Sequence, residues 1–113
     1  MDDVQGIIVS NNALGQGHFV VTLELARPIG PVLPGQFVMV RMPGAEIFLR
    51  RPFSICGIQD EVITIMYKVG GDGSRFLSTM QSGDPLMVLG PLGNGFTVDR
   101  DRAAVVVAGG IGI

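Results

Sequence analysis

Arg51-Pro52-Phe53-Ser54-Ile55, read together with Met66-Tyr67-Lys68-Val69-Gly70-Gly71-Asp72-Gly73-Ser74, decides how this chain folds. In the first stretch the proline holds Arg51 extended, and the aromatic and β-branched residues that follow suit a pleated strand. The second begins as a strand and runs into a glycine loop that opens a short helix. Working outward, the same pattern repeats. Strands are predicted over 4–10, 18–26, 37–42, 51–57, 62–69 and 85–89, each bounded by glycine or proline. Val20, Thr22 and Glu24 alternate with Phe19, Val21, Leu23 and Leu25, so that strand has one buried face. Asp60-Glu61 reads as a hairpin turn. The one good helix candidate spans 74–81, with Phe76, Leu77 and Met80 on one face and Gly83 as its stop. Six strands and a short helix predict an all-β fold, a six-stranded antiparallel barrel, because closure removes the exposed edges of a flat sheet.

Composition narrows the function. With 113 residues, 47% of them apolar and 16% charged, the chain is globular and supports one modest core. A net charge of -2 gives no electrostatic reason to expect nucleic acid or an anionic membrane as partner. A single cysteine, Cys56, excludes an internal disulfide and a cysteine-only metal site within these residues, and its strand pattern predicts a buried thiol. No secretory signal follows Met1-Asp2-Asp3, and the apolar run at the end is too short and glycine-broken to span a bilayer, so a cytoplasmic protein is expected.

That final run, 103–108, is continuously apolar, as in a strand buried on both faces of a parallel sheet. It feeds Gly109-Gly110-Ile111-Gly112. Residues 1–100 are therefore expected to form the barrel domain, and 101–113 the start of a truncated α/β domain of the nucleotide-binding kind.

The chemistry-bearing residues converge on the opening stretches. Strand geometry sets Arg51 and Phe53 on one face and Pro52 and Ser54 on the other, unless a bulge re-aims them. Arg51 then suits a ligand phosphate, Phe53 a flat ring, and Ser54 the polar edge of that ring; alternatively the three are a surface arginine, a core ring and a strand serine. The glycine loop places the N–H groups of Gly73, Ser74 and Arg75 at a helix start, where they attract phosphate oxygens. Ser74 is also a plausible N-cap. Together the two segments point to a flavin nucleotide. The cluster Leu89-Gly90-Pro91-Leu92-Gly93-Asn94-Gly95-Phe96 predicts tight backbone packing or close approach to a ligand. His18, the single histidine, sits in no catalytic triad or metal set, so no catalytic residue and no metal ligand is assigned. Met39, Met42, Met66, Met80 and Met87 read as core filler.

Arg-Pro-Phe-Ser, Met-Tyr-Lys-Val, Gly-Asp-Gly-Ser, Gly-Pro-Leu-Gly-Asn-Gly-Phe and Ala-Gly-Gly-Ile-Gly, in this order, resemble the ferredoxin–NADP reductase superfamily. Within it the pattern looks most like the electron-transfer subunits of dihydroorotate dehydrogenase B. The resemblance covers this chain but only the N-terminal, FAD-binding half of the family's protein. It implies a Greek-key barrel in which Arg51, Pro52, Phe53 and Ser54 line the FAD. Met66, Tyr67 and Lys68 would form the second strand of the site, and Gly73 with Ser74 would hold the pyrophosphate. Gly109, Gly110 and Gly112 would match the opening turn of the NAD-binding domain. In such proteins a hydride passes from NADH to FAD, and electrons go on through a [2Fe-2S] cluster to an FMN-containing dihydroorotate dehydrogenase catalytic subunit, within a heterotetramer that serves pyrimidine biosynthesis. Two departures stand out: Phe53 replaces the superfamily's usual tyrosine, and the cysteines that hold the cluster are not in this chain. A flavin subunit of a related hydrogenase, sulfite reductase or ferredoxin:NADP oxidoreductase is the alternative enzyme reading. A cofactor-free β-barrel binding module is the alternative of another class.

Overall fold

The computed structural model describes residues 3–42, 50–95, 101–103, 105 and 107. It contains β1 (Val4–Gly15), β2 (His18–Leu25), β3 (Phe37–Arg41), β4 (Arg51–Gln59), β5 (Val62–Lys68), α1 (Asp72–Thr79) and β6 (Pro85–Leu92). The strands close into a barrel in the order β1-β2-β5-β4-β3-β6, with every neighbouring pair antiparallel. The predicted six-stranded all-β barrel is therefore the fold, and α1 is its one helix among the described residues.

The inward face is the apolar half of each alternation. Val21, Leu23, Val38, Val40, Ile63, Ile65, Leu86 and Val88 are at most 1% exposed and fill the interior. Leu77 and Met80 join this core from α1. Because α1 follows directly on β5, it sits over the end of the barrel where that strand finishes. Of the methionines, Met42 and Met80 are buried, whereas Met39, Met66 and Met87 fall on the outward phase of their strands and are half-buried.

Several elements run past their predicted limits. β1 continues to Gly15 because its far half pairs with β2, Asn11 opposite Val21 and Ala13 opposite Phe19. Its turn leaves only Gln16 and Gly17 unpaired, both at positive φ (54° and 78°), the conformation of the tight hairpin turn whose twist matches the flanking strands. Helix α1 begins at Asp72 rather than Ser74, since Gly71 takes the extended N-cap conformation. Cys56 is exposed, not buried. It lies at an irregularity where Ile55 pairs with Ile65 but Gly57 with Thr64, so it is the extra residue of a bulge and points outward with Pro52 and Ser54.

The glycine cluster at the end of β6 and just beyond it packs closely on its surroundings. A Cβ at Gly90 would come within 2.7 Å of Val38, one at Gly93 within 2.8 Å of the Phe37 ring, and one at Gly95 would collide with Leu33. These glycines let the chain leaving β6 lie flat on β3 and on the loop before it. Of the apolar run beyond residue 102, Val105 and Val107 are 89% and 91% exposed and in no strand. Gly109, Gly110, Gly112 and Phe96 lie outside the described residues. No helix among the described residues is long and apolar enough to cross a membrane.

One ion pair tethers the start of β1. Arg50 donates to Asp3 at 2.6 Å, and this bond is the main reason the Asp3 carboxyl lies below its ordinary value of 3.8. A depressed carboxyl stabilises the fold above its unfolded pKa, and that contribution disappears as pH falls through the folded value. The pair is partly exposed and worth about 0.2–1 kcal/mol. Asp3→Asn is thus expected to lower the melting temperature slightly at pH 7 and not at all once the pH is well under 3.8. A difference of the same size at both pH values would show that the pair contributes nothing electrostatic.

Candidate functional site

Strands β4 and β5 are paired only from Ile55–Ile65 to Gln59–Val62. Ahead of Ile55 they separate. Residues 51–54 pair with β3 instead, Ser54 opposite Phe37 and Arg51 opposite Val40, while residues 66–68 pair with β2, Met66 opposite Val20 and Lys68 opposite His18. The barrel wall is therefore split between the two stretches singled out in the sequence. This split and the helix that follows β5 define the candidate site.

On β4 the observed burial alternates as predicted: Arg51 and Phe53 are half-buried, and Pro52 and Ser54 are exposed. Arg51 and Gly73 are brought into contact. A Cβ placed on Gly73 would lie 2.8 Å from Arg51 Cγ and 3.2 Å from its Nε, so the arginine side chain crosses directly over the first turn of α1. Only a residue without a side chain permits that approach.

The loop before the helix is held by Ser74. Its Oγ accepts the N–H of Gly70 at 2.9 Å and of Gly71 at 3.2 Å, and its hydroxyl lies 3.2 Å from the Gly71 carbonyl. Ser74 is therefore the third helical residue bonding back to the loop, the reaching half of a capping box, and not the N-cap. The Arg75 N–H already donates to the Gly71 carbonyl at 3.0 Å, so it is not among the open donors. Helix geometry leaves those of Asp72, Gly73 and Ser74 facing out of the first turn. With the helix dipole and the Arg51 guanidinium, they make the helix start locally positive. The Asp72 carboxylate opposes it weakly, being 87% exposed and 4.0 Å from Arg75.

Phe53 lies between the core and a surface cavity. Its ring meets Tyr67 edge-on at 5.9 Å, while its outer side lines a hollow of about 300 Å³ shared with Gly35, Phe37, Pro52 and Ser54. Tyr67 is 3% exposed, stacked on Phe19 at 5.5 Å, and donates its hydroxyl to Asn11 Oδ1 at 2.9 Å. Burial pushes its phenol up to about 12. Tyr67 thus faces the split with its backbone and the barrel interior with its ring. Met66 is half-buried on the outer face, and Lys68 is exposed at the strand end just before the loop.

Two residues that the sequence did not single out support this region. Gln36 accepts the Leu33 N–H at 2.9 Å, donates to the Gly93 carbonyl at 2.9 Å, and through its own carbonyl receives the Ile55 N–H at 3.5 Å. It joins three segments at the rim of the hollow. Asn11 bonds the end of α1 as well as Tyr67. No group of three or more metal-ligating side chains occurs among the described residues.

Comparison with known proteins places this architecture. The ferredoxin reductase of carbazole 1,9a-dioxygenase superposes with a TM-score of 0.78 at 24% identity, covering 89% of this chain and 33% of that one. An NADH-dependent reduced ferredoxin-NADP oxidoreductase superposes at 0.71 with 26% identity, covering 81% and 35%. The chain is a barrel of the ferredoxin-reductase type.

Its sequence narrows this further: over the segment they share, it is similar to the electron-transfer subunits of dihydroorotate dehydrogenase B. It is 45% identical to that subunit from Caldanaerobacter subterraneus subsp. tengcongensis over 80 residues, 71% of this chain and 32% of the relative. It is 47% identical to the one from Clostridium acetobutylicum over 83 residues, 73% and 34%. The chain thus spans about a third of the length of the curated relatives it matches. No family model matches it.

Proposed function

We propose that this chain is the FAD-binding portion of an electron-transfer subunit. In it, the pyrophosphate lies between Arg51 and the opening turn of α1, and the flavin ring lies at the split beside Pro52, Phe53 and Ser54. The observation that carries this reading is the Arg51 side chain crossing Gly73, because it puts a cation beside the open backbone donors of the helix start. Glycine at position 73 is what lets the arginine lie this close to the N–H groups of the helix start. Bound FAD would accept an electron pair with a proton and release electrons singly.

The protein's own residues bind, orient and shield. Arg51 and the N–H groups of Gly73 and Ser74 neutralise the diphosphate. Ser74 keeps the loop in the one conformation that aims those groups outward. Phe53 offers an apolar edge and Ser54 a hydroxyl on the outer face for a ring heteroatom. Met66 and Lys68 border the ring and the phosphates from the opposite strand, and Tyr67 contributes its backbone there.

For the complete protein, electrons enter from NADH and leave through a [2Fe-2S] cluster to an FMN-containing dihydroorotate dehydrogenase catalytic subunit in the cytoplasm. A nucleotide-binding domain beginning near residue 101, with Gly109, Gly110 and Gly112 in its first turn, supplies the NADH site. The identities of 45–47% to such subunits favour this assignment over the other reductase branches.

Titration of the chain with FAD, followed by flavin fluorescence, tests the site. Saturation at one FAD per chain, with riboflavin binding more weakly for want of the diphosphate, is the expected result. Equal affinity for the two flavins, or no binding of FAD, would remove the pyrophosphate site from the assignment.

A further inference from the structure

Asn11 stands at a junction. Its Nδ2 donates to the carbonyls of Leu77 at 2.8 Å and Met80 at 3.0 Å, at the closing turn of α1, while its Oδ1 accepts the Tyr67 hydroxyl at 2.9 Å. The bonding sense is forced. The two carbonyls can only accept, so the amide nitrogen must face them, and the phenol must donate to the oxygen that remains. One amide thereby ties β1, β5 and the far end of the helix together.

A polar side chain reaches this position because β1 is irregular. Ile8 pairs with Leu23 but Ser10 with Thr22, which makes Val9 the extra residue of a bulge. The inward phase of Val4, Gly6 and Ile8 then shifts by one residue, and Asn11, opposite the fully buried Val21, turns inside. Helix α1 is only eight residues long, so its two ends move as one body. Its near end carries Gly73 under Arg51, and its far end is gripped by Asn11.

Resting on the FAD reading above, we propose that Asn11, braced by Tyr67, is a positioning residue that sets the height of α1 so that its opening turn meets the cofactor's diphosphate. The helix also buries Leu77 and Met80, but apolar contacts tolerate sliding in a way that two directed hydrogen bonds do not. Asn11 acts at the phosphates without touching them, and leaves the flavin ring alone.

The test compares two probes, FAD and riboflavin, on the full chain and its Asn11→Ala, Tyr67→Phe and Arg51→Ala variants. Asn11→Ala is expected to lower FAD affinity about fivefold to tenfold, the scale of one or two lost hydrogen bonds, with riboflavin affinity unchanged. Tyr67→Phe keeps the ring stack and removes only the brace. Its loss should have the same sign, smaller size and the same selectivity for FAD, and it serves if Asn11→Ala does not fold. An equal loss for both flavins would reveal a general structural role and overturn the proposal. So would wild-type FAD affinity in the Asn11 and Tyr67 variants while Arg51→Ala is impaired. If Arg51→Ala itself binds FAD as the wild type does, the pyrophosphate site is wrong, and the positioning role falls with it.

Discussion

Arg51→Ala is expected to weaken FAD binding about 10- to 150-fold, the equivalent of roughly 1.5–3 kcal/mol for hydrogen bonds to a charged group. The arginine is half-buried and held across Gly73, so its guanidinium is already near the helix start and little freedom is lost on binding. Arg51→Lys should recover part of the loss, because it restores the charge but not the planar fork of donors. Gly73→Val should act from the other side, since its Cβ would start 2.8 Å from Arg51 Cγ and force the arginine away. Isothermal titration with FAD measures all three. Wild-type affinity in Arg51→Ala would place the diphosphate elsewhere on the barrel.

The largest stability effect is expected at Leu77. Its side chain is 1% exposed and is the deepest anchor of α1 in the core. Leu77→Ala should cost about 2–5 kcal/mol, the usual range for a truncation that leaves a cavity. A domain of this size has roughly 5–15 kcal/mol in total, so a substantial part of its stability rests on this residue. Urea denaturation reads the change as a lower midpoint at similar slope. A loss under about 1 kcal/mol would mean that the helix rides on the barrel without sharing its core. Because α1 opens on the phosphate site, FAD should partly restore the variant's midpoint by mass action.

Most of the barrel was legible in the sequence because period-2 alternation survives wherever a strand has one wet face. The β4 pattern predicted the faces of Arg51, Pro52, Phe53 and Ser54 correctly, since the bulge at Cys56 lies beyond them. Cys56 keeps the outward phase of Pro52 and Ser54, so the alternation itself pointed to its exposure, and the apolar character of a thiol beside Ile55 outweighed that phase in the reading. The bulge at Val9 hid Asn11, because an inserted residue reverses the phase locally without leaving a compositional mark; in an unbroken strand Asn11 would face water. Ser74 read as a helix cap because it stands at a loop–helix boundary. Its hydroxyl does bond backbone N–H groups, but from three residues further in, and only coordinates separate the two geometries. The split between β4 and β5 is a matter of register across sequence-distant strands, which propensity and local pattern do not encode. Nor does the alternation distinguish a buried tyrosine ring that meets a ligand from one that, like Tyr67, turns its edge toward Phe53 and its hydroxyl to Asn11.

The barrel is sealed by β1 against β6, with Val4 opposite Val88 and Ile7 opposite Pro85. That seam joins the earliest strand to the latest, so the chain must complete its longest loop before the cylinder exists. During synthesis, β1 and β3 therefore wait with bare edges until β6 emerges from the ribosome. Closing that seam carries a larger loop-closure cost than forming any of the hairpins. A nascent chain stalled before residue 85 presents two sticky rims to its neighbours, which makes this interval the time when aggregation competes with maturation.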